Sequence, residues 1–306
     1  MSQSKVARGL LSYNLFAHAC SGSAASCVAV VAAFPFLTIL QRKQLDDLKA
    51  VKHLNTFQLI QYLIKKEGFA SLYKGLIPVM QSSCISNFVY FYVFHLLKSM
   101  RTRDAQSAAG DLLLGALAGV VNVLSTTPFW VVNTRLKMQG ISCDLPYNDL
   151  ISGLKYIAQK DGIQKLWSGT SASLMLVANP AIQFSVYEAI KRYLTKIYGT
   201  ESPSVLYFFF LGAIAKLAST FMTYPLQLIQ TKMRHGDSQM KKDLPPNAGT
   251  FEMLLYILKS QGVKGLYCGL EAKATQTVLT AALMFMMYEK IIRFVKTILR
   301  VSAANH

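Results

Sequence analysis

The sequence predicts an all-α membrane protein: six transmembrane helices set out as three tandem repeats with pseudo-threefold symmetry, and a short surface helix in each odd-to-even connection. Three observations predict it. Composition is the first: 52% of the 306 residues are apolar and 15% charged, which fits neither a disordered chain nor an ordinary soluble domain. The second is a set of six apolar runs, roughly 13–41, 76–98, 110–134, 170–194, 204–231 and 271–295. Each reaches the ~20 residues that a helix needs to cross a bilayer. The third is a repeated punctuation that ties the runs together in pairs.

Proline ends each odd run and a basic residue follows seven positions later: Pro35 with Arg42, Pro128 with Arg135, Pro225 with Lys232. Each copy then carries Glu67-Gly68, Asp161-Gly162 or Gln261-Gly262, and closes on Tyr73-Lys74-Gly75, Trp167-Ser168-Gly169 or Tyr267-Cys268-Gly269. The prolines lie 93 and 97 residues apart, and proline to closing glycine is 40, 41 and 44 residues. One period in triplicate is a threefold repeat. A repeat this short has no room for its own core, so residues 1–306 form one domain, with repeats over 10–100, 108–197 and 203–298.

The first run follows Lys5 and Arg8 and resembles a signal peptide, but its proline aligns it with the third and fifth runs, so it is retained as a span. The odd runs carry small residues that let helices approach closely in lipid: Gly115 with Gly119, and weaker versions at Gly22 and Gly212. Pro35, Pro128 and Pro225 are expected to kink these helices and lean their ends inward, closing one end of a central cavity. In each long connection, Thr56 to Lys66, Asp149 to Lys160 and Thr250 to Lys259 show helical apolar spacing. Such helices lie at the membrane surface or pack on the ends of their neighbours.

The formal charge of +17 would suggest nucleic acid in a soluble protein, but here 18 of the 32 Lys and Arg fall in the long connections, a modest topological bias. Two lysines, Lys216 and Lys273, fall inside spans. A lysine at that depth costs about 2.5–3.5 kcal/mol and faces a cavity or a partner. The five cysteines show no metal-ligand or redox spacing and read as packing residues, and no metal site is expected.

On these residues the chain resembles the mitochondrial carrier family over its whole length. Asn122 to Lys137 (NVLSTTPFWVVNTRLK), Ser86 to Tyr92 (SNFVYFY), Asn179 to Gln183 (NPAIQ), Gly269 to Lys273 (GLEAK) and Gln276 to Phe285 resemble its peroxisomal branch, which carries coenzyme A, FAD, NAD and adenine nucleotides. The resemblance implies alternating access with two gates. One gate position, two and five residues after each proline, holds Leu37 and Leu40, Trp130 and Asn133, Gln227 and Gln230, none of them an ion pair. The other offers Lys98 to Glu188 and Lys191 to Glu289 between neighbouring repeats, with its third link lost. Leu37, Leu40 and Trp130 would close the first gate by apolar packing helped by the three amides. A gate without ion pairs implies uniport or loose exchange.

The resemblance also carries substrate contacts onto the even spans: Ser82, Ser86, Asn87 and Tyr90 on the second, Met175, Leu176, Asn179 and Gln183 on the fourth, Lys273, Gln276, Thr277 and Thr280 on the sixth. Met175 and Leu176 suit packing against adenine, Asn179 and Gln183 reading its edge, Tyr90 stacking. Lys216 and Lys273 suit phosphate. The expected function is transport of adenine-containing cofactors across the peroxisomal membrane by a multi-pass monomer. Its partners are the lipid bilayer, the transported nucleotides and a peroxisomal membrane-protein import receptor. The nucleotides are cargo, and no resident cofactor or nucleic acid is expected. An enzyme is disfavoured, since no phosphate-binding loop, dinucleotide fingerprint or nucleophile elbow occurs. Two alternatives stay open: a carrier of another substrate in the mitochondrial inner membrane, and a diverged carrier-fold membrane protein with weak or no transport.

Overall fold

The computed structural model describes residues 30–44, 55–100, 108–137, 145–198, 205–236 and 248–283, and every regular element among them is helical. Ten α-helices appear: α1 over 30–44, α2 Thr56–Glu67, α3 Leu76–Ser99, α4 Ala108–Lys137, α5 Leu150–Lys160, α6 Thr170–Met175, α7 Asn179–Tyr198, α8 Val205–His235, α9 Thr250–Leu266 and α10 over 270–283. Short 3-10 turns at Phe69–Tyr73 and Ile163–Trp167 lead into α3 and α6.

Three stretches, Phe69–Ser99, Gly110–Lys137 and Tyr207–His235, are long and apolar enough to cross a membrane. The fourth apolar run of the sequence is divided into α6, a 3-10 turn over Leu176–Ala178, and α7. Pro180 explains the break: it has no N–H to offer Leu176 four residues back, and its ring crowds that carbonyl. The first and sixth runs extend beyond the described residues.

Each repeat is built on one apolar triad. Ile39, Leu63 and Leu72 form it in the first copy, Val132, Ile157 and Leu166 in the second, Ile229, Ile257 and Leu266 in the third, and all nine are buried. The first member stands four residues after the proline, the second on the amphipathic helix, the third just before the closing glycine. The amphipathic helices α2, α5 and α9 thus pack on the ends of the odd spans. They leave Phe57, Ile151 and Phe251, one in each copy, exposed on the outer side, where a membrane interface would take them. Asp149 caps α5 by accepting from Ser152 N, and the bonds from Ser152 hold its carboxyl below the usual range.

The acid of the first two motifs has a structural partner that the repeat pattern alone did not name. Arg42 makes a two-pronged pair with Glu67 at 3.0 and 2.8 Å, and Arg135 pairs with Asp161 at 2.6 Å. These bonds tie the end of the odd span to the surface helix. In the third copy Gln261 stands at the acid's position.

The closing glycines join one repeat to the next. Gly75, Gly169 and Gly269 all take φ near +80°, which only glycine adopts freely. A Cβ on Gly75 would lie 2.6 Å from Lys137 Cγ. On Gly169 it would meet Gln230 O at 3.2 Å, and on Gly269 Leu40 Cδ1 at 3.3 Å. First copy meets second, second meets third, and third meets first, so the three repeats close a ring. Between those junctions, α3 lies along α4 and α7 along α8.

Pro35, Pro128 and Pro225 all lie inside continuous helices, with no break in helix assignment. Pro128 deprives Leu124 O of its helical donor, and Trp167 supplies the replacement: its indole N–H donates to that oxygen at 2.8 Å. The small-residue stripe divides its task. Gly119 faces Val177, where a Cβ would lie 2.9 Å from Cγ1, and Gly115 faces the Tyr90 hydroxyl at 3.3 Å. The weaker copy does not behave as expected: Gly212 meets nothing within 4 Å, so no close packing requires it. Gly22 lies outside the described residues.

Candidate functional site

The ring of helices encloses a cavity of about 1110 Å³ lined by α3, α4, α6, α7, α8 and α10. A second space of about 360 Å³ lies against it, toward the ends of the odd spans. Trp130, Gln227, Gln230, Arg234 and Lys273 line both and form the boundary between them.

The lower space is ordered by the repeat. Counting from each proline, positions two, five, six and nine of all three copies line it: Leu37, Trp130 and Gln227; Leu40, Asn133 and Gln230; Gln41, Thr134 and Thr231; Gln44, Lys137 and Arg234. These offsets follow the three-and-four spacing that puts residues on one helix face. The six residues expected from the sequence to form a gate therefore do converge on one layer. Their amides, however, do not bond to one another. Gln227 donates to Thr223 Oγ1 at 3.0 Å, Gln230 donates to Ser173 Oγ at 2.7 Å across the second and third repeats, and both amide atoms of the buried Asn133 are without a partner.

The opposite gate is not formed as expected. Lys98 pairs with Asp111 of the following helix at 3.4 Å instead of Glu188. Glu188 instead lies 3.9 Å from Lys191 and 3.8 Å from Arg192 on its own helix. Glu289 lies outside the described residues. The main cavity reaches this side at Phe94, Asp111 and Leu112, and among the described residues each of these charges takes a near neighbour on its own or the following helix. The space toward the odd-span ends is the narrower of the two, about 360 Å³ against about 1110 Å³.

Of the expected substrate contacts, Ser86, Tyr90, Leu176, Asn179, Lys216 and Lys273 line the main cavity, and Lys273 and Gln276 the lower one. Several are already engaged. Ser86 and Asn122 are hydrogen-bonded at 3.0 Å across the first and second repeats, and Ser219 donates to Asn179 across the second and third. Tyr90 stacks on Phe94 with centroids 6.3 Å apart, leaving one ring face for a ligand. Lys273 donates to Gln276 Oε1 at 3.1 Å.

Five expectations fall elsewhere. Asn87 is exposed on an outward groove with Phe88, Phe91 and His95, because one helical step of about 100° turns it away from Ser86. Met175 and Gln183 are half-buried and line neither cavity. Thr277 gives its hydroxyl to the carbonyl of Lys273 at 2.8 Å. Ser82 is fully buried.

Two site residues escaped the sequence reading. Lys137 and Arg234 sit where the apolar runs give way to the long connections, and their charge assigned them to the surface. The structure turns both inward. Lys137 is 4% exposed and lies over the Phe34 ring at 5.5 Å, and Arg234 lies over the Trp130 ring at 5.9 Å and donates to Ser173 Oγ at 3.1 Å. The available signal was their phase, since both stand nine residues after a proline, as Gln44 does. Lys137, Lys216, Arg234 and Lys273 give the two cavities four basic groups, against a single lining acid, Asp111, that is already paired with Lys98. No candidate metal cluster occurs among the described residues.

Comparison with known proteins agrees with this architecture. The mitochondrial carrier protein pattern matches residues 12–105, 104–198 and 201–299. The chain is 44% identical over 292 residues to a mouse protein named peroxisomal membrane protein PMP34, covering 92% of this chain and 94% of that one. It is 33% identical to mitochondrial substrate carrier family protein Q of Dictyostelium discoideum (90% and 87% covered). To the peroxisomal nicotinamide adenine dinucleotide carrier of Arabidopsis thaliana it is 29% identical (91% and 96% covered). With such relatives it is a multi-pass protein of the peroxisomal membrane. Three matched repeats spanning nearly the whole sequence, folded as one closed ring around a basic cavity, make the chain a member of the mitochondrial carrier protein family.

Proposed function

We propose that this protein carries adenine-containing cofactors and nucleotides across the peroxisomal membrane by alternating access, through six spans arranged as three repeats in a single domain. The observation that carries the reading is the main cavity: about 1110 Å³, half-walled by apolar residues such as Val120, Val177 and Phe184, with Lys216 and Lys273 projecting into it and no acidic partner within 4 Å of either among the described residues. That volume lies just above the ~300–1,000 Å³ typical of small-molecule sites and suits a large ligand with an aromatic base and phosphate charge. The nicotinamide adenine dinucleotide carrier among its relatives supports the same class. In this reading Tyr90, Leu176 and Asn179 meet the base, and Lys216 and Lys273 the phosphates, which their lining of one cavity supports.

The odd-span gate layer holds no ion pair among the described residues, so the empty carrier reorients readily and net uptake accompanies exchange. The protein works as a monomer, since one chain closes the ring. A peroxisomal membrane-protein import receptor delivers it. Liposomes holding the purified protein, empty or preloaded with the same compound, test this with labelled NAD, FAD, coenzyme A, AMP, ADP and ATP. Uptake is expected into both kinds of vesicle and is expected to fall in Lys216→Ala. Strict one-for-one exchange sinks the weak-gate reading, and no uptake of any of these compounds by folded protein sinks the transport reading itself.

A further inference from the structure

We propose that the narrowed end of the cavity is itself an anion site, in which a phosphate or diphosphate of the cargo is held by Lys137 and Arg234 and supplies the negative charge that the gate layer lacks. The proposal rests on the nucleotide-carrier reading and extends it to a place that the sequence assigned to gating alone.

The twelve residues of the layer include two cations and no acid, and Lys273 adds a third positive charge at its upper edge. Among the described residues no carboxylate lies within 4 Å of any of the three. Lys137 is buried, with the Phe34 ring beneath its ammonium. Arginine stays charged at any physiological pH, and the guanidinium of Arg234 keeps its Nε buried without an acceptor. Asn133 is 1% exposed with neither amide atom bonded, and Gln41 Oε1 is likewise buried and unpartnered. Buried charge and buried hydrogen-bonding capacity left open in one layer are costly, and native proteins do not accumulate them without a use. One oxyanion answers the donors of the group: phosphate oxygens accept from the guanidinium of Arg234, the ammonium of Lys137 and the Nδ2 hydrogens of Asn133.

A dynamic consequence follows. With the layer empty, only packing holds it narrow against the repulsion of three like charges. With phosphate in place they are drawn onto one anion, so the cargo holds this end shut until the other closes. Cargo without phosphate leaves the layer uncompensated and is not retained.

The test uses inorganic pyrophosphate, adenosine and NAD as probes in thermal-shift titrations of wild type, Arg234→Gln and Lys137→Met. Pyrophosphate is expected to stabilise wild type, to lose about tenfold or more in apparent affinity in either variant, and to regain most of it in Arg234→Lys. NAD is expected to weaken in parallel while the weak response to adenosine stays the same, an outcome that general loosening of the fold does not produce. An unchanged pyrophosphate response in both variants, with NAD still binding, overturns the anion site and leaves the nucleotide reading standing. Failure of folded wild type to respond to NAD or pyrophosphate overturns both.

Discussion

Replacing Trp167 by phenylalanine removes one hydrogen-bond donor, and its effect is expected to depend on a residue 39 positions earlier in the chain. Pro128 has no N–H, so the oxygen of Leu124 loses its helical donor; the indole of Trp167 gives it another at 2.8 Å, in the normal range for a good hydrogen bond. Leaving a carbonyl without a donor in an apolar setting costs about 1–3 kcal/mol. Restoring the main-chain donor with Pro128→Ala makes the indole dispensable. A double-mutant cycle therefore isolates the bond, because the smaller ring of phenylalanine costs the same packing in both backgrounds. Trp167→Phe is expected to lower the apparent melting temperature by about 2–6 °C in the native background, taking ~2 °C per kcal/mol for a chain of this size. In the Pro128→Ala background most of that loss is expected to vanish. Equal losses in both backgrounds would refute the claim that the tryptophan completes the proline-broken turn.

Two further perturbations follow from the packing. Gly119→Ala places a Cβ 2.9 Å from Val177 and is expected to reduce stability by about 1–3 kcal/mol, whereas Gly212→Ala meets nothing within 4 Å and is expected to be neutral or slightly stabilising, measured side by side by thermal unfolding in detergent. Glu67→Gln strips the anion from Arg42, which is 1% exposed, and is expected to cost about 2–4 kcal/mol; Asp161→Asn is expected to cost less, because the Arg135 side chain left behind is 12% exposed and can be reached by solvent. A larger loss in Asp161→Asn than in Glu67→Gln would contradict the ranking by burial.

The sequence determined the class, the number of repeats and the helix faces. Those depend on local quantities: length of apolar run, period of the proline and glycine marks, and phase along each helix. The same phase placed Leu37, Leu40, Trp130, Asn133, Gln227 and Gln230 in one layer, because equal spacing from equivalent prolines gives equal height and direction in a threefold ring. What the tertiary structure decided was partnership. Lys98 took Asp111 instead of Glu188, since ion pairing depends on distances of a few ångströms that no spacing within one helix sets. Asn87 turned outward by one helical step, and Ser86 was committed to Asn122 of the next repeat. Lys137 and Arg234 read as surface charges because charge usually marks solvent; only closure of the ring showed that the inner face continues two residues past the basic position of each motif and brings both cations into the cavity. Local chemistry is written along the chain, but which groups end up opposite one another is settled by how the three repeats close, and the empty charges at the narrow end are a property of that closure.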